Sequence, residues 1–467
     1  MSLPDLLAAR PGEAQHVRVT RSLRDAVVQG HLSPGTRVST RRLAQAWGVA
    51  RNTVQDAVDQ LQAEGYLEVR ARSGSYVAPR GATPGPAVQD VPRVPLSGWA
   101  TRALSGGRSG VPGQYDLDLR LGQSAGLFPS EVWAQALARR AGDADALLSA
   151  GELGPQETRH AIAQWLTRER GASVTPDMVM LTGGTQSALD LLSRTYLEPG
   201  RVAVMEDPGY LGARRAFEAV GATVHPVPVD AGGLDVTRLP PNPTLTYVTP
   251  GCQFPTTATL GAARRQALLA WATRTQSFIL EDDYAADFHH TARPPAPLQG
   301  LAPHSVLLLG TFSQSLAPAL RSGYLVAPPA VLDVLARTRP LTDRHPPTLD
   351  ALALSDFLAS GGYVRHLRRA RTQVTHRHDV LLAALHATLP QLDVLPARAG
   401  LHLRVPLPHG QREEDVTARA ARLGLGVSGA HEYASLPHAP ALLLGFAHLP
   451  PDALREAARR LALALQP

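Results

Sequence analysis

Residues 310–327 read GTFSQSLAPALRSGYLVA. Two apolar runs, SVLLLGTF (305–312) and RSGYLVAP (321–328), flank a polar turn that carries Ser313 and Gln314, with Arg321 opening the second run. Each run has the length of a strand and is bounded by turn residues. Working outward, the same kind of run recurs as MVMLTG (178–183), RVAVMED (201–207), LTYVTP (245–250) and SFILEDDY (277–284), with amphipathic helical segments between most of them. This alternation predicts an α/β fold: an open, mostly parallel sheet with helices on both faces. From 346 to 388 the pattern turns helical, and the stretch beyond it reads as α+β. No internal repeat or low-complexity tract is visible.

Toward the N-terminus the pattern changes. PRGATPGPAVQDVPRVPLS (79–97) carries five prolines and two glycines and little apolar periodicity, the mark of a partly extended linker. Before it, residues 16–80 read as a small module. VRVTRSLRDAVVQG is a helix closed by Gly30, and LSPGTRV is a turn. RRLAQAWGV is a short helix with Leu43, Ala44 and Trp47 on one face. RNTVQDAVDQLQAEG is a further helix with Val54, Ala57, Val58 and Leu61 inward and Gly65 closing it. YLEVRARSGSYVAP makes two short strands about a Ser-Gly turn.

Composition bounds the protein class. A chain of 467 residues calls for two or three domains, and 44% hydrophobic against 18% charged residues supports buried cores rather than disorder. A single cysteine, Cys252, excludes a disulfide framework and fits a reducing, cytoplasmic location. No apolar run is long enough to span a membrane, and MSLPDLLAARPGEA lacks the basic start of a signal peptide. All 46 basic residues are arginine; there is no lysine. Arginine stays protonated and cannot replace lysine as an amine nucleophile. Residues 1–80 hold 11 arginines against 7 acids, and the rest of the chain 35 against 33, so the positive excess is concentrated at the N-terminus.

A helix, a tight turn, a second helix and a two-stranded wing make a winged helix-turn-helix, whose second helix would enter the major groove. Its first residues are Arg51, Asn52 and Thr53; arginine suits guanine, asparagine suits adenine, and the helix N-terminus favours phosphate. Arg41 can reach the backbone or a base, and the wing tip at Arg72 and Gly74 is shaped to approach phosphate or the minor groove. The expected partner is double-stranded operator DNA. GHLSPGTRVSTRRLAQAWGVARNTVQDAVDQLQAEGYLEVRARSGSYVA closely resembles the GntR-type regulators, departing at Ala50, where the family often has Ser.

Residues 115–467 resemble fold-type I aminotransferases, in the version fused behind a GntR module, the MocR subfamily. The resemblance implies an α/β aminotransferase-like domain with a large subdomain at about 170–345 and a small α+β one from 115–169 and 346–467, joined by a linker (81–114) to the module at 1–80. It also implies a site for pyridoxal phosphate. In TGGTQSALD (182–190), the amides of Gly184, Thr185 and Gln186 would face the phosphate at a helix N-terminus. Tyr210 of EDPGY would lie against the ring. In ILEDDYAADF, Asp282 would pair with the pyridine nitrogen and Tyr284 would donate to the 3-hydroxyl. Ser313 and Arg321 would contact phosphate.

Three departures from the family pattern stand out. Cys252 and Thr257 replace the usual His and Gly, both expected near the 3-hydroxyl. Leu443, two residues before GF, occupies the place of the arginine that anchors a substrate carboxylate. Gln314 holds the position of the Schiff-base lysine, and an amide nitrogen cannot condense with an aldehyde. The expectation is a homodimeric transcription regulator, not an enzyme, that senses a small-molecule effector, with any pyridoxal phosphate held noncovalently. The alternatives are a catalytically dead scaffold that only dimerises and an active aminotransferase.

Overall fold

The computed structural model describes residues 4–70, 73–79, 94–105, 115–143, 145, 148, 151–290 and 295–466, and the chain divides into two compact units, 1–95 and 96–467. In the first unit, helix α1 (Gln15–Val28) precedes a two-residue strand β1 (Arg37–Val38). Helices α2 (Thr40–Trp47) and α3 (Arg51–Ala63) and strands β2 (Leu67–Arg70) and β3 (Gly74–Val77) follow. The Ser39 side chain accepts from the Arg42 amide and starts α2; Gly48, at φ 61°, ends it in a left-handed turn that glycine adopts without strain. Val19, Leu23, Leu43, Val54, Val58, Leu61, Leu67 and Val77 form the core, each large aliphatic contributing about 1.5–3 kcal/mol by burial. The Arg24 guanidinium forks onto Glu64 and pins α1 to the end of α3. The strands lie in the antiparallel order β1-β3-β2, so the wing is a three-stranded sheet in which β1, too short to show a pattern, completes the predicted pair.

The second unit carries β4 (Leu117–Asp118) near its start and is built on an eight-stranded sheet of order β5-β12-β11-β10-β9-β6-β7-β8. Its members are β5 (Val179–Thr182), β6 (Val202–Asp207), β7 (Thr223–Asp230), β8 (Gly233–Leu234), β9 (Leu245–Val248), β10 (Phe278–Asp282), β11 (Val306–Thr311) and β12 (Gly323–Val326). Strands β7, β6, β9, β10 and β11 run parallel; β12 is antiparallel to both neighbours, and β8 to β7. Of the parallel strands, β6, β9, β10 and β11 are buried on both faces and so read as continuous apolar runs. TVHPVPVD escaped that reading because of its two prolines. It lies beside the sheet edge, where its outer side is paired only at Val229 and Asp230, so prolines are tolerated there.

A smaller sheet of order β13-β16-β15 is made by β13 (His402–Pro406), β15 (Ser428–Gly429) and β16 (Ala441–Gly445), while β14 (Leu425–Gly426) pairs with β4. Together with the 27-residue helix Gly362–Thr388 and the helix Pro451–Ala464, it encloses a separate apolar core. Two boundaries differ from the sequence reading. Residues 98–105, placed in the linker, form a helix that packs on the second unit: Arg102 donates to the Ala219 carbonyl, and Arg194 lies 5.0 Å over the Trp99 ring. Residues 115–169, assigned to the small subdomain, are split. Leu117, Leu119 and Ala125 join the C-terminal core, but Trp133, Ile162 and Trp165 pack against the large sheet. Trp165 is the reason: its ring meets Phe312, Tyr324 and Tyr363 at centroid distances of 5.4–6.2 Å.

Three backbones converge at Gly323. A Cβ there would lie 2.7 Å from the Cα of Gly184 and 2.7 Å from the Gly310 carbonyl oxygen. Gly323→Ala is therefore expected to cost about 1–3 kcal/mol, read as a lowered urea midpoint at unchanged slope.

Candidate ligand cavity and DNA-facing helix

In the first unit, Arg51 and Asn52 begin α3 and are exposed, and Thr53 is half-buried beside them. Arg41 is exposed on the first turn of α2. Neither Arg41 nor Arg51 has an ion-pair or hydrogen-bond partner among the described residues, so both fork ends face solvent. Ala50 supplies no side-chain cap, which leaves the first amides of α3 open. Gly74, at φ 105°, forms the wing tip; Arg72 lies outside the described residues. Arg37 is a basic residue that the sequence reading passed over. It is exposed on β1, and its guanidinium lies beside Gly74, so it adds positive charge to the wing. Its turn-like surroundings hid the short strand that carries it.

In the second unit, a cavity of about 370 Å³ lies at the C-terminal ends of the parallel strands, where open α/β sheets place their ligands. All nine cofactor residues read from the sequence line it: Gly184, Thr185, Gln186, Tyr210, Asp282, Tyr284, Ser313, Gln314 and Arg321. Each arrives from a strand end or the loop after it. β5 leads into Gly184, whose φ of 97° suits glycine, and the helix Thr185–Tyr196 starts at the cavity. The Arg321 guanidinium packs about 3.5–3.7 Å from where a Gly184 Cβ would stand, and makes no ion pair among the described residues. β10 ends at Asp282, whose Oδ2 accepts from the Tyr247 hydroxyl at 2.7 Å. Tyr210 donates to Gln186 Oε1 at 3.3 Å.

Four buried polar atoms of this cavity's side chains have no hydrogen-bond partner among the described residues: Asp282 Oδ1, Thr185 Oγ1, Ser313 Oγ and Gln314 Oε1. A buried polar atom left unpaired is costly, and their meeting at one cavity marks the place where a ligand would supply the missing partners. Burial pushes the Asp282 carboxyl up to about 7, against the pull of the Tyr247 hydrogen bond.

The neighbouring acids have protein partners. Glu281 accepts from the Leu298 and Gln299 amides, and Asp283 pairs with Arg170 at 2.5 Å. Glu206 accepts from the Thr249 amide and hydroxyl and from Gln253, holding loop 249–257 to the end of β6. Sequence reasoning missed Tyr247, Phe254, His402 and Tyr433 on the cavity wall. Tyr247 lies in the strand run 245–250 and Phe254 between Cys252 and Thr257, whereas His402, on β13, and Tyr433, on the short helix Ala430–Tyr433, come from the distant C-terminal region and carried no local signal.

Of the two substitutions expected near a ring hydroxyl, Cys252 is buried and in contact with Tyr284, whose hydroxyl donates to its Sγ at 3.7 Å. Thr257 belongs elsewhere. It lines a second cavity, and its φ of 64° explains why glycine would suit the position. Leu443 also lines that second cavity.

Residues 15–77 match the bacterial regulatory proteins of the gntR family, and residues 117–461 match aminotransferase class I and II. The probable rhizopine catabolism regulatory protein MocR of Rhizobium meliloti is 34% identical over 94% of this chain and 92% of its own length. The HTH-type pyridoxine biosynthesis transcriptional regulator PdxR of Corynebacterium glutamicum is 32% identical over 97% of each. Among solved structures, the α-aminoadipate aminotransferase LysN of Thermus thermophilus, in complex with N-(5'-phosphopyridoxyl)-L-leucine, superposes with a TM-score of 0.71. It is 26% identical over 79% of this chain and 97% of its own. The chain belongs to the MocR-type regulators, in which a gntR-family winged helix precedes an aminotransferase class I and II domain. The winged helix of gntR regulators binds DNA, and the aminotransferase fold normally binds pyridoxal phosphate. No helix among the described residues is long and apolar enough to cross a membrane.

The raised pKa of Asp282 has a measurable consequence. The unfolded carboxyl loses its proton near the ordinary 3.8 and the folded one near 7. Between those values the native state binds the extra proton, so this group's contribution to stability falls as pH rises. Glu206 and Glu281, also raised to about 7 by burial, add to the same trend. Without ligand, the melting temperature should fall between about pH 4 and 7, and Asp282→Asn should make that fall shallower.

Proposed function

We propose that the chain is a DNA-binding transcription regulator whose second unit senses a phosphorylated pyridine-ring ligand, pyridoxal phosphate or a close relative, without a covalent bond. The observation that carries the reading is the set of four unpartnered buried atoms at one cavity, in a chain with no lysine. Asp282 Oδ1 suits a protonated ring nitrogen. The Thr185 and Ser313 hydroxyls, the helix N-terminus at Thr185 and the Arg321 fork suit a phosphate. When bound, such a group supplies an electron-accepting ring. The residues around it here position it and screen it from water. Gln314 stands in the place of the Schiff-base lysine, and its amide offers a hydrogen bond where an amine would attack. On this reading the protein is not an enzyme. Two copies assemble through the aminotransferase-like units and present two reading heads to a repeated or palindromic operator. Arg41, Arg51, Asn52, Thr53 and Gly74, with Arg37 beside them, face that DNA.

Titrating the full chain with pyridoxal phosphate should give a saturable change in the visible spectrum that dialysis reverses. Borohydride should leave no cofactor attached to the protein; covalently trapped cofactor would overturn the reading, and no spectral change would leave a dimerising scaffold. Asp282→Ala should weaken this binding by tenfold or more.

Arg51→Ala should weaken binding to DNA selected by the native protein by about 10- to 100-fold, with the oligomeric state unchanged by sedimentation. Undiminished binding would remove α3 from the reading role.

A further inference from the structure

The second unit has another cavity, of about 650 Å³, which none of the sequence motifs anticipated. A thin wall separates it from the first. Phe254 lines the first cavity and Pro255 the second, and His402 Nε2 is 2.9 Å from the Pro255 carbonyl oxygen. Strand β13 runs past both: His402 lines the first cavity, and Arg404, two residues on and therefore on the same sheet face, lines the second. Across the ladder on β16 stand Gly445 and Leu443 in register.

Arg404 is partly buried and has no ion pair among the described residues; its one hydrogen bond runs from Nη2 to the Ala439 carbonyl at 3.3 Å. Burial lowers its pKa below the ordinary value, the direction of a cation short of a counter-charge. Nearby acids are already committed. Asp207 holds Arg214 at 2.7 Å and the Ser435 amide; Asp230 holds Arg264 at 2.6 Å. Glu413, which attracts Arg404 without touching it, accepts from the His431 amide and ring, from His438 and from the Ala441 amide. Arg398 and Asp393 also line the cavity, and both are exposed.

The rest of the lining decides the class of anion. Pro208, Pro255, Pro396, Leu436 and Leu443 give it an apolar wall beside its polar residues. The amides of Thr256, Thr257 and Ala258 are consumed by hydrogen bonds within their own loop, so they form no anion cradle. A phosphate needs donors for three or more oxygens, whereas a carboxylate is satisfied by one planar fork, which Arg404 presents beside the apolar wall. We propose that this cavity binds a small organic carboxylate with an apolar body, held by Arg404. The inference does not depend on what fills the first cavity.

The test uses the full chain free of pyridoxal phosphate, with hexanoate and benzoate as probes and hexanamide, benzamide and inorganic phosphate as comparisons. At least one of the two carboxylates should raise the unfolding midpoint saturably, and its amide should not. Calorimetric affinity should fall tenfold or more in Arg404→Met and survive in part in Arg404→Lys. Leu443→Asp, which sets an acid opposite an intact Arg404, should abolish binding as well. The proposal is overturned if neither carboxylate binds, if phosphate binds in their place, or if binding persists in both Arg404→Met and Leu443→Asp.

Discussion

At Gly323 the chain leaves no room for a methyl group, and that crowding organises the second unit. It lets the antiparallel strand β12 lie close against the turn after β5. The approach brings Arg321, two residues earlier, beside Gly184 at the start of a helix. Partial positive charge from open amides and full charge from a guanidinium are thus gathered at one end of a parallel sheet. The remaining strands deliver an acid and aromatic rings to the same end. Loops alone could not hold these groups so closely; the sheet does so because its register is fixed by apolar residues buried on both faces.

The buried acids show how the fold divides labour. Glu206, Glu281 and Asp283 are satisfied by the protein and tie loops or helices to strand ends. Asp282, next in sequence to two of them, has one oxygen on Tyr247 and one unpaired. Neighbours of the same chemistry serve as mortar or as a site according to which way the strand turns them. Asp207 shows the first role most plainly: it accepts from Ser435 and Leu436, more than 200 residues away, and so fastens the small sheet to the large one.

Much of this was legible in the sequence, for physical reasons. Strands buried on both faces must be apolar throughout, so β5, β6 and β9 to β12 announced themselves. β7 did not, because the proline-tolerant position beside an edge breaks that pattern; β1 and β8, two residues each, have no pattern to show. The split of residues 115–169 was hidden because it depends on which surface Trp133 and Trp165 meet, a tertiary fact. In the cavity, residues at strand ends were found because each sits in a local motif. His402 and Tyr433 were missed because folding brings them from the C-terminal region, far along the chain from the strand-end motifs. Thr257 was misplaced for a related reason: nearness in sequence to Phe254 does not fix the side of the wall on which a residue falls.

That wall has a consequence of its own. Phe254 and Pro255 are adjacent residues facing opposite chambers, braced by one bond from His402. A partition one residue thick cannot shift on one side alone. Any occupant that changes the affinity of the opposite chamber must have its own affinity changed by the same factor, because the free energy of the doubly filled state does not depend on the order of filling.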